Sequence, residues 1–274
     1  MDVGFSLPFR ASTNQHLQSI LGFAPAQMKA ILITGGSRGI GAATARLAAR
    51  HGYAVCINYR NRRDEAEALV RELEFAGAQA IAVQADISLE GDVARLFEAC
   101  DHAFGNLSAL VNNAGVLETQ MRVEAMTTDR LQRIFATNVF GAFACARLAV
   151  RRMSTKHGGH GGSIVNVSSV AARLGAAGEY VDYAASKAAL DTLTIGLAKE
   201  VAEEGIRVNA VRPGFIYTEM HASGGEPGRV DRVKEFVPMK RGGTPEEVAE
   251  AILWLLSDAA SFTTGSFIDV AGGR

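Results

Sequence analysis

The 274-residue sequence has few cysteines, almost no net charge and no long uninterrupted apolar segment. Its three cysteines, Cys56, Cys100 and Cys145, are far apart and form no C-x-x-C or cysteine–histidine motif. We therefore expect buried, reduced thiols and no metal site. The 28 basic and 29 acidic residues nearly cancel, which predicts a small-molecule partner and neither a nucleic acid nor an anionic membrane.

Targeting and phosphate-binding signals are also missing. No apolar run approaches the roughly 20 residues of a membrane span. The amino terminus lacks the basic and then continuously apolar pattern of a secretory signal, so a cytoplasmic protein is expected. The sequence has no G-x-x-x-x-G-K-[ST] motif, the phosphate-binding loop of many phosphoryl-transfer proteins. Phosphoryl transfer is therefore not expected.

The composition, 48% hydrophobic and 21% charged, is typical of a soluble globular protein. The length suits one large α/β domain or two small ones, and the chain shows no linker that would divide it. We predict a single catalytic domain over residues 28–274. Residues 1–27 show no clear periodicity; a loose extension, a short appended helix and an artefact of start-site choice remain open.

Short apolar runs alternate with longer amphipathic stretches from Met28 onward, which is typical of βαβ units. The predicted strands are residues 30–34, 54–59, 80–86, 109–115, 163–169, 207–214 and 266–273. The predicted helices are residues 42–51, 64–76, 91–104, 131–155, 183–203 and 245–256. Right-handed crossovers then predict a doubly wound, Rossmann-type α/β fold, with a seven-stranded parallel sheet and helices on both faces. Residues 217–243 lack periodicity and are predicted to form a substrate-binding loop.

A glycine-rich turn, "TGGSRGIG" at residues 34–41, follows the first predicted strand and opens a helix. Glycines here permit a tight turn and allow a dinucleotide pyrophosphate to approach backbone N–H groups at the positive end of the helix. The position of Gly35, Gly39 and Gly41 between a strand and a helix therefore predicts a nucleotide site.

Tyr183 and Lys187 lie four residues apart in "EYVDYAASKAAL" and would share one face of a helix. The unperturbed pKa of a phenol, about 10, lies roughly three units above neutrality. A lysine cation about 4.5 Å away could offset much of that difference in a shielded site. This spacing also occurs by accident, as a tyrosine at the edge of a core beside a solvated lysine, so other segments must decide between the two interpretations.

Six motifs in order resemble the short-chain dehydrogenase/reductase family, in its single-domain branch. They are "TGGSRGIG", "NNAG" at 112–115, Asn138 in "FATNVFGAF", Ser169 in "VNVSS", "YAASK" at 183–187 and "RPGFIYTEM" at 212–220. The resemblance extends from Met28 to Arg274. It implies hydride transfer between a nicotinamide dinucleotide and an alcohol or carbonyl substrate, without a metal ion.

The resemblance also implies a role for each of four residues. Tyr183 would be the acid/base, and Lys187 would lower its pKa and bind the nicotinamide ribose. Ser169 would orient and polarise the substrate oxygen, and Asn138 would hold a water in a proton relay from Lys187. Ser168 is the competitor for the serine role, but only one of two neighbouring residues on a strand can face the site.

One spacing departs from the family pattern, since one residue more than is common lies between Ser169 and Tyr183. We expect the loop "RLGAAGEY" to absorb it. Tyr180 is too far along the chain from Lys187 to replace Tyr183, and we expect it to line the substrate pocket or to pack on this loop.

The cofactor is expected to be NADP, with NAD as the alternative. Relatives that prefer NAD usually have an aspartate at the end of the second strand, where this sequence has Tyr59 followed by Arg60. Arg38 and Arg60 could together bind a 2′-phosphate. Alternatively, Arg60, Arg62 and Arg63 form the solvated start of a helix.

Further cofactor contacts follow from the same resemblance. The matching positions are Gly35, Ser37, Arg38, Gly39, Ile40, Gly41, Tyr59, Arg60, Asp86, Ile87, Asn112, Ala114, Gly115, Tyr183, Lys187, Pro213, Gly214, Ile216 and Thr218. For Asp86 the alternative is a helix cap, and for Thr218 a hydroxyl at the start of a loop.

The function hypothesis is thus an NADP-dependent short-chain alcohol dehydrogenase or ketone reductase. A regulatory protein that senses the dinucleotide on the same fold, without turnover, is the alternative. The resemblance implies a homotetramer in which the long helices after Asn138 and Tyr183 pack against those of a neighbouring subunit.

Overall fold

The computed structural model describes residues 29–274. The predicted extension, residues 1–27, and Met28 lie outside the described part of the chain.

All seven strands belong to one parallel sheet, as the alternating sequence pattern predicted. The strands are β1 (Ala30–Ile33), β2 (Ala54–Tyr59), β3 (Ala80–Gln84), β4 (Leu107–Asn112), β5 (Gly162–Val167), β6 (Ile206–Pro213) and β7 (Phe267–Val270). Their order in the sheet is β3-β2-β1-β4-β5-β6-β7, with every pair parallel. The order reverses between β1 and β4, and ligands of doubly wound sheets bind in the crevice outside such a reversal.

Helices connect the strands and cover both faces of the sheet. They are α1 (Gly39–Arg50), α2 (Arg63–Phe75), α3 (Glu90–Phe104), α4 (Thr128–Phe135), α5 (Ala142–Met153), α6 (Ala171–Leu174), α7 (Val181–Val201), α8 (Met220–Ser223), α9 (Arg229–Val233) and α10 (Pro245–Leu256). Short 3-10 segments are Val123–Ala125, Thr155–His157, Ala202–Glu204, Lys234–Phe236 and Asp258–Ala260. The predicted doubly wound α/β fold is therefore confirmed.

Alternation along the strands divides the core into two layers. Ile31 and Ile33 of β1 face the layer that contains α1, α2 and α10, whereas Leu32 faces the layer that contains α3, α5 and α7. Successive side chains of a strand point to opposite faces of a sheet, so a central strand buried on both sides reads as a continuous apolar run. Burial of all four residues of β1 agrees with this.

The long helix before β5 has a local defect. Residues Thr128–Met153 form one continuous helical segment, but Ala136–Gly141 adopts the wider π form between α4 and α5. By length and composition alone, this segment could cross a membrane. In the structure Cys145, Ala149 and Met153 pack into the core beneath the sheet, which is the placement of a core helix.

Strand ends differ from the predictions in a consistent direction. Strand β3 ends at Gln84, β4 at Asn112 and β5 at Val167, each before the polar residues that the sequence prediction had included in the strand. The segment 217–243, predicted to be irregular, contains α8, α9 and a 3-10 turn. Residues 113–115 of the "NNAG" motif and 168–169 of the "VNVSS" motif thus leave the sheet and enter loops at its carboxyl edge.

Candidate active site

A cavity of about 450 Å³ lies at the carboxyl edge of the sheet. Its walls come from segments far apart in sequence: the start of α1, the loops after β4, β5 and β6, the first turns of α7, and the segment that carries α8 and α9. Ser169, Tyr183 and Lys187 all line it. The residues of three separate motifs therefore meet in one place.

The glycine turn after β1 is conformationally demanding. Gly35 and Gly39 have φ angles of +61° and +53°, in the left-handed region where glycine carries no steric penalty. A Cβ atom on Gly41 would lie 2.4 Å from the carbonyl oxygen of Gly35. The turn thus requires glycine for its backbone angles and for the close approach of its two ends.

Tyr183 and Lys187 lie one turn apart on α7, as predicted. The Nζ atom of Lys187 lies 5.6 Å from the centre of the Tyr183 ring and donates a hydrogen bond of 2.7 Å to the backbone oxygen of Val167. Only 2% of the Lys187 surface is exposed. The lysine is therefore a buried cation held between the helix and the end of β5.

Burial acts on the protonation equilibria of both members of this pair. It raises the pKa of Tyr183 to about 12, and a hydrogen bond with Ser169 acts in the opposite direction. Burial lowers the pKa of Lys187 to about 8, against the attraction of Asp191. Loss of hydration thus opposes the expected lowering of the phenol pKa by Lys187, because it destabilises the charged form of each group.

The two serines after β5 point in different directions. Ser168 is buried, and its hydroxyl donates to the backbone oxygen of Lys187 at 3.2 Å. Ser169 is partly exposed; its Oγ accepts the N–H of Ala171 at 3.1 Å and contributes the hydrogen bond that lowers the pKa of Tyr183. Of the two hydroxyls, that of Ser169 is the one beside the phenol.

Asn138 lies in the π segment, behind Lys187. Its side-chain amide donates both hydrogens, one to the backbone oxygen of Val116 at 3.1 Å and one to the hydroxyl of Ser186 at 3.0 Å. Its Oδ1 accepts the N–H of Val116 at 2.8 Å, which leaves one acceptor position on that oxygen. A Cβ atom on Gly115 would lie 3.4 Å from Nζ of Lys187 and 3.5 Å from Oδ1 of Asn138, so glycine leaves the approach between them open.

Comparisons with known proteins agree with this geometry. A family model described as enoyl-(acyl carrier protein) reductase matches residues 35–274. The chain is 62% identical to the uncharacterized oxidoreductase YgfF of Escherichia coli K12, over 90% of this chain and all of that protein. The chain belongs to the short-chain dehydrogenase/reductase family.

Two solved structures of the family superpose on almost the whole described fold. A mutant short-chain dehydrogenase/reductase of Serratia marcescens is 36% identical, with a TM-score of 0.83 over 91% of this chain and 99% of that one. The 3-ketoacyl-(acyl-carrier-protein) reductase of Brucella melitensis, complexed with NADH, is 33% identical, with a TM-score of 0.84 over the same shares. The protein is an oxidoreductase by family, and the comparisons give no support to the regulatory alternative.

The residues of the glycine turn fit the nicotinamide dinucleotide that this family binds. The turn has glycines at positions where the Cβ atom of any other residue would clash with neighbouring backbone atoms, and it leads into the amino terminus of α1. Orphan N–H groups and the helix dipole favour a pyrophosphate at that end. Ile40 from the turn also lines the cavity, which makes the turn and the Tyr183 wall continuous.

Two asparagines that sequence reasoning missed hold the turn in place. The Oδ1 atom of Asn58 accepts the N–H of Gly35 at 3.2 Å, and its backbone oxygen accepts the N–H of Gly36 at 2.8 Å. The side chain of Asn113 donates to the backbone oxygens of Thr34 and Gly35 at 2.9 and 3.0 Å. Asn58 is the last residue but one of β2 and Asn113 follows β4, the two strands that flank β1, but the residues around them give no signal of this role.

Asn112, a predicted cofactor contact, does not line the cavity. The side chain of Asn112 is buried and donates to Asn166 at 3.0 Å in the core, whereas Asn113 lines the cavity. The backbone N–H of Ala114 donates to Thr34 Oγ1 at 3.0 Å, which holds the start of the loop after β4 against the glycine turn. Side-chain alternation therefore turns the first asparagine of the motif inward.

The positively charged residues near the end of β2 are all paired. Arg38 contacts Glu219 at 2.5 Å, Arg60 lies 3.7 Å from Asp86, and Arg62 contacts Glu65 at 2.9 Å. These arginines are partly exposed.

Four other predicted contacts differ in their surroundings. Tyr59 and Ile87 are buried in the two core layers. Asp86 accepts the N–H and hydroxyl of Ser88 at 3.0 and 2.7 Å in a local turn. It is not the helix cap of the alternative interpretation, because α3 begins at Glu90 and its N-cap is Leu89. Ser37 is partly exposed in the glycine turn.

The end of β6 and the loop after it form a wall of the cavity beside the glycine turn. Pro213, Gly214, Ile216 and Thr218 all line the cavity. A Cβ atom on Gly39 would lie 3.4 Å from the methyl group of Thr218. The loop after β6 and the glycine turn are therefore neighbours at the cavity.

Proposed function

We propose that the protein is an NADP-dependent alcohol dehydrogenase or carbonyl reductase that uses Tyr183, Lys187, Ser169 and Asn138. The observation that carries the proposal is the meeting of Tyr183, Lys187 and Ser169 at one cavity that also reaches the glycine turn. Residues 28–274 would act as one catalytic domain, with residues 217–243 as the substrate loop.

Tyr183 is proposed as the proton donor in carbonyl reduction. A phenol with a pKa of about 12 is protonated throughout the neutral range, which is the form that a developing alkoxide needs beside it. The nicotinamide, when bound, supplies the hydride. Ser169, beside the phenol, would donate to the same substrate oxygen and stabilise charge as it develops there.

Lys187 is proposed to bind the nicotinamide ribose and to assist proton transfer by its charge. Its Nζ has two further hydrogens besides the one given to Val167, and ribose hydroxyls are suitable acceptors. The remaining acceptor position on Asn138 Oδ1, next to Gly115, suits a relay water between Lys187 and solvent.

NADP is proposed over NAD because no carboxylate occupies the end of β2. Tyr59 is the last residue of that strand, and Arg60 and Arg38 lie nearby. A bound 2′-phosphate would exchange their present partners, Asp86 and Glu219, for a stronger doubly charged acceptor. NAD remains the alternative, and the Brucella relative was solved with NADH.

Calorimetric titration with NADPH and NADH, followed by a screen of ketones with the preferred dinucleotide, tests the proposal. We expect tighter binding of NADPH, and replacement Arg60→Asp should shift the preference toward NADH by about tenfold. Arg71→Asp, an exposed arginine on α2, is the matched charge control. An unchanged preference in Arg60→Asp would contradict the proposed phosphate contact.

Turnover is tested separately with Tyr183→Phe. We expect reduction to slow by about 10²–10⁴-fold because the proton donor is lost, while dinucleotide binding is retained. A wild-type protein that binds the dinucleotide but oxidises and reduces nothing in the screen would instead support the sensing alternative.

A cytoplasmic homotetramer is proposed as the working state. Phe140, Phe143 and Ile195 are large apolar side chains with 65%, 48% and 43% of their surfaces exposed, on the π segment, α5 and α7. Apolar side chains on the surfaces of two long helices support helix packing between subunits. Light scattering measures the mass directly, and a monomer at micromolar concentration would count against the tetramer.

A further inference from the structure

A carboxylate of the proposed substrate loop pairs with arginines near the proposed 2′-phosphate site. The Oε2 atom of Glu219 accepts a hydrogen bond of 2.5 Å from Nη1 of Arg38 in the glycine turn. The same oxygen lies 3.7 Å from Nη2 of Arg62, directly before α2. The contact with Arg38 joins residues 181 positions apart in sequence. Charge therefore ties the start of the substrate loop to the glycine turn and to the segment after β2.

The side chain of Glu219 is not used by its own helix. Glu219 directly precedes α8, and its side chain makes no capping hydrogen bond. Its backbone oxygen holds the helical turn instead, because it accepts the N–H of Ser223 at 3.2 Å. Within residues 29–274, the ion-pair partners of the Glu219 carboxylate are Arg38 and Arg62. The carboxylate thus acts on the cofactor side of the loop.

Both members of the contact are accessible to a ligand. The side chains of Arg38 and Glu219 are 38% and 62% exposed. An exposed ion pair contributes little to stability, so a ligand can separate it at small cost. A phosphate monoester carries a charge of about −1.5 to −2 near neutrality and can accept two parallel hydrogen bonds from one guanidinium. A 2′-phosphate at Arg38 and the Glu219 carboxylate are therefore competitors for the same donors.

Two other carboxylates lie near these arginines, but they come from neighbouring parts of the chain. Glu65 contacts Arg62 at 2.9 Å from three residues further along. Asp86 lies 3.7 Å from Arg60 and follows β3, the strand beside β2. Glu219 differs from both because it reaches the arginines from the substrate loop.

We propose that Glu219 is a specificity-determining residue for the dinucleotide: it competes with the 2′-phosphate for Arg38 and so lowers the preference for NADP over NAD. NAD has a hydroxyl in place of the phosphate and leaves the pair between Glu219 and Arg38 intact. The inference rests on the proposed function for the position of the 2′-phosphate. It goes further by assigning to the substrate loop a carboxylate that opposes this phosphate.

The variant Glu219→Gln tests the competition. It removes the charge with little change in shape and keeps the backbone bond to Ser223. Calorimetry with NADPH and with NADH gives both dissociation constants. We expect NADPH to bind about three- to fivefold more tightly than to the wild type, because the phosphate no longer displaces a paired carboxylate. The affinity for NADH should change by less than about twofold, a selectivity that a general structural effect would not produce.

Glu72→Gln is the matched control. Glu72 on α2 pairs with Arg46 on α1 at 2.8 Å, and the two side chains are 52% and 41% exposed. These exposures are close to those of Glu219 and Arg38, but no proposed cofactor contact takes part in the pair. We expect the ratio of the NADPH and NADH affinities to stay as in the wild type.

A double variant shows whether Glu219 acts through Arg38. In Arg38→Met the carboxylate has lost the partner for which it competes. Adding Glu219→Gln to Arg38→Met should therefore raise the affinity for NADPH by less than about twofold. Three results would overturn the inference: an unchanged ratio of the two affinities in Glu219→Gln, an equal gain for NADH, or a full gain for NADPH in the Arg38→Met background.

Failure of the proposed function gives a different pattern. If Arg38 does not bind the 2′-phosphate, Arg38→Met leaves the affinity for NADPH unchanged, and the inference falls together with the proposed contact. If Arg38→Met selectively weakens the binding of NADPH while Glu219→Gln gains nothing, the proposed contact stands and the inference alone is wrong.

Discussion

The buried ion pair between Arg130 and Asp182 should control the stability of the helix that carries Tyr183. The Nε atom of Arg130 on α4 lies 2.6 Å from Oδ2 of Asp182 in the first turn of α7. The two side chains are 3% and 0% exposed. Arg130 also donates to the backbone oxygen of Thr119 at 2.7 Å, and Asp182 accepts the N–H of Tyr183 at 2.9 Å.

Replacement Arg130→Met would leave the Asp182 carboxylate buried without its partner. Breaking a buried pair in this way costs about 3–5 kcal/mol of folding free energy. The double replacement Arg130→Met with Asp182→Asn removes the charge and keeps an acceptor for the N–H of Tyr183. We therefore expect the double variant to recover at least about half of that loss.

Urea unfolding at one fixed protein concentration measures these free energies. Arg133→Met on the same helix is the matched control, because Arg133 pairs with Glu118 at 2.8 Å but its side chain is 59% exposed. A surface pair of this kind is worth about 0–1 kcal/mol. A loss for Arg130→Met no larger than that of the control, or no recovery in the double variant, would refute the reasoning.

Three further expectations concern the active site. Carbonyl reduction should slow as pH rises through about 8, because burial lowers the pKa of Lys187 to that value and the cation is lost progressively above it. A Lys187→Met variant, already slow, should lack this transition in its pH–rate profile. Ser169→Ala should reduce kcat by about 10²–10³-fold, as loss of one transition-state donor does. Ser168→Ala should change kcat by a few-fold at most, because the Ser168 hydroxyl bonds to the backbone of α7. Equal losses in steady-state kinetics would contradict the assignment of Ser169. Gly41→Ala should weaken dinucleotide binding by roughly tenfold or more, because the added Cβ atom would lie 2.4 Å from the backbone oxygen of Gly35 and would displace the turn. An unchanged affinity in calorimetry would contradict this prediction.

Much of the fold was predictable because its signals are local. The alternation of strands and helices was predicted from the spacing of apolar residues along the chain. Motifs such as "NNAG" follow the strands at the places where the structure has loops at the carboxyl edge of the sheet. Thr244, Pro245 and Glu247 show the same principle on a smaller scale: their side chains and spacing encode the capping box and first turn of α10. Several predicted strands were too long because the polar residues after the last hydrogen-bonded pair of the sheet continue the sequence pattern of the strand.

For Tyr183, Lys187 and Ser169 the six motifs in order indicated a candidate site, and the three side chains line one cavity in the structure. The site was not predictable where two loops meet. Asn58 and Asn113 hold the glycine turn from neighbouring strands, and nothing in the residues around either one indicates that contact. The burial that raises the pKa of Tyr183 was not predictable from its spacing to Lys187 either, because burial depends on the whole surrounding of the phenol.

By itself, the sequence determined the architecture and indicated the family and the candidate reacting side chains, since periodicity, turn chemistry and helical spacing act over a few neighbouring residues. Tertiary structure alone decided which asparagine faces the cavity, which charges on the substrate loop are already paired, and how strongly desolvation opposes ionisation. Those properties depend on the three-dimensional surroundings of each group, and packing between distant segments creates those surroundings.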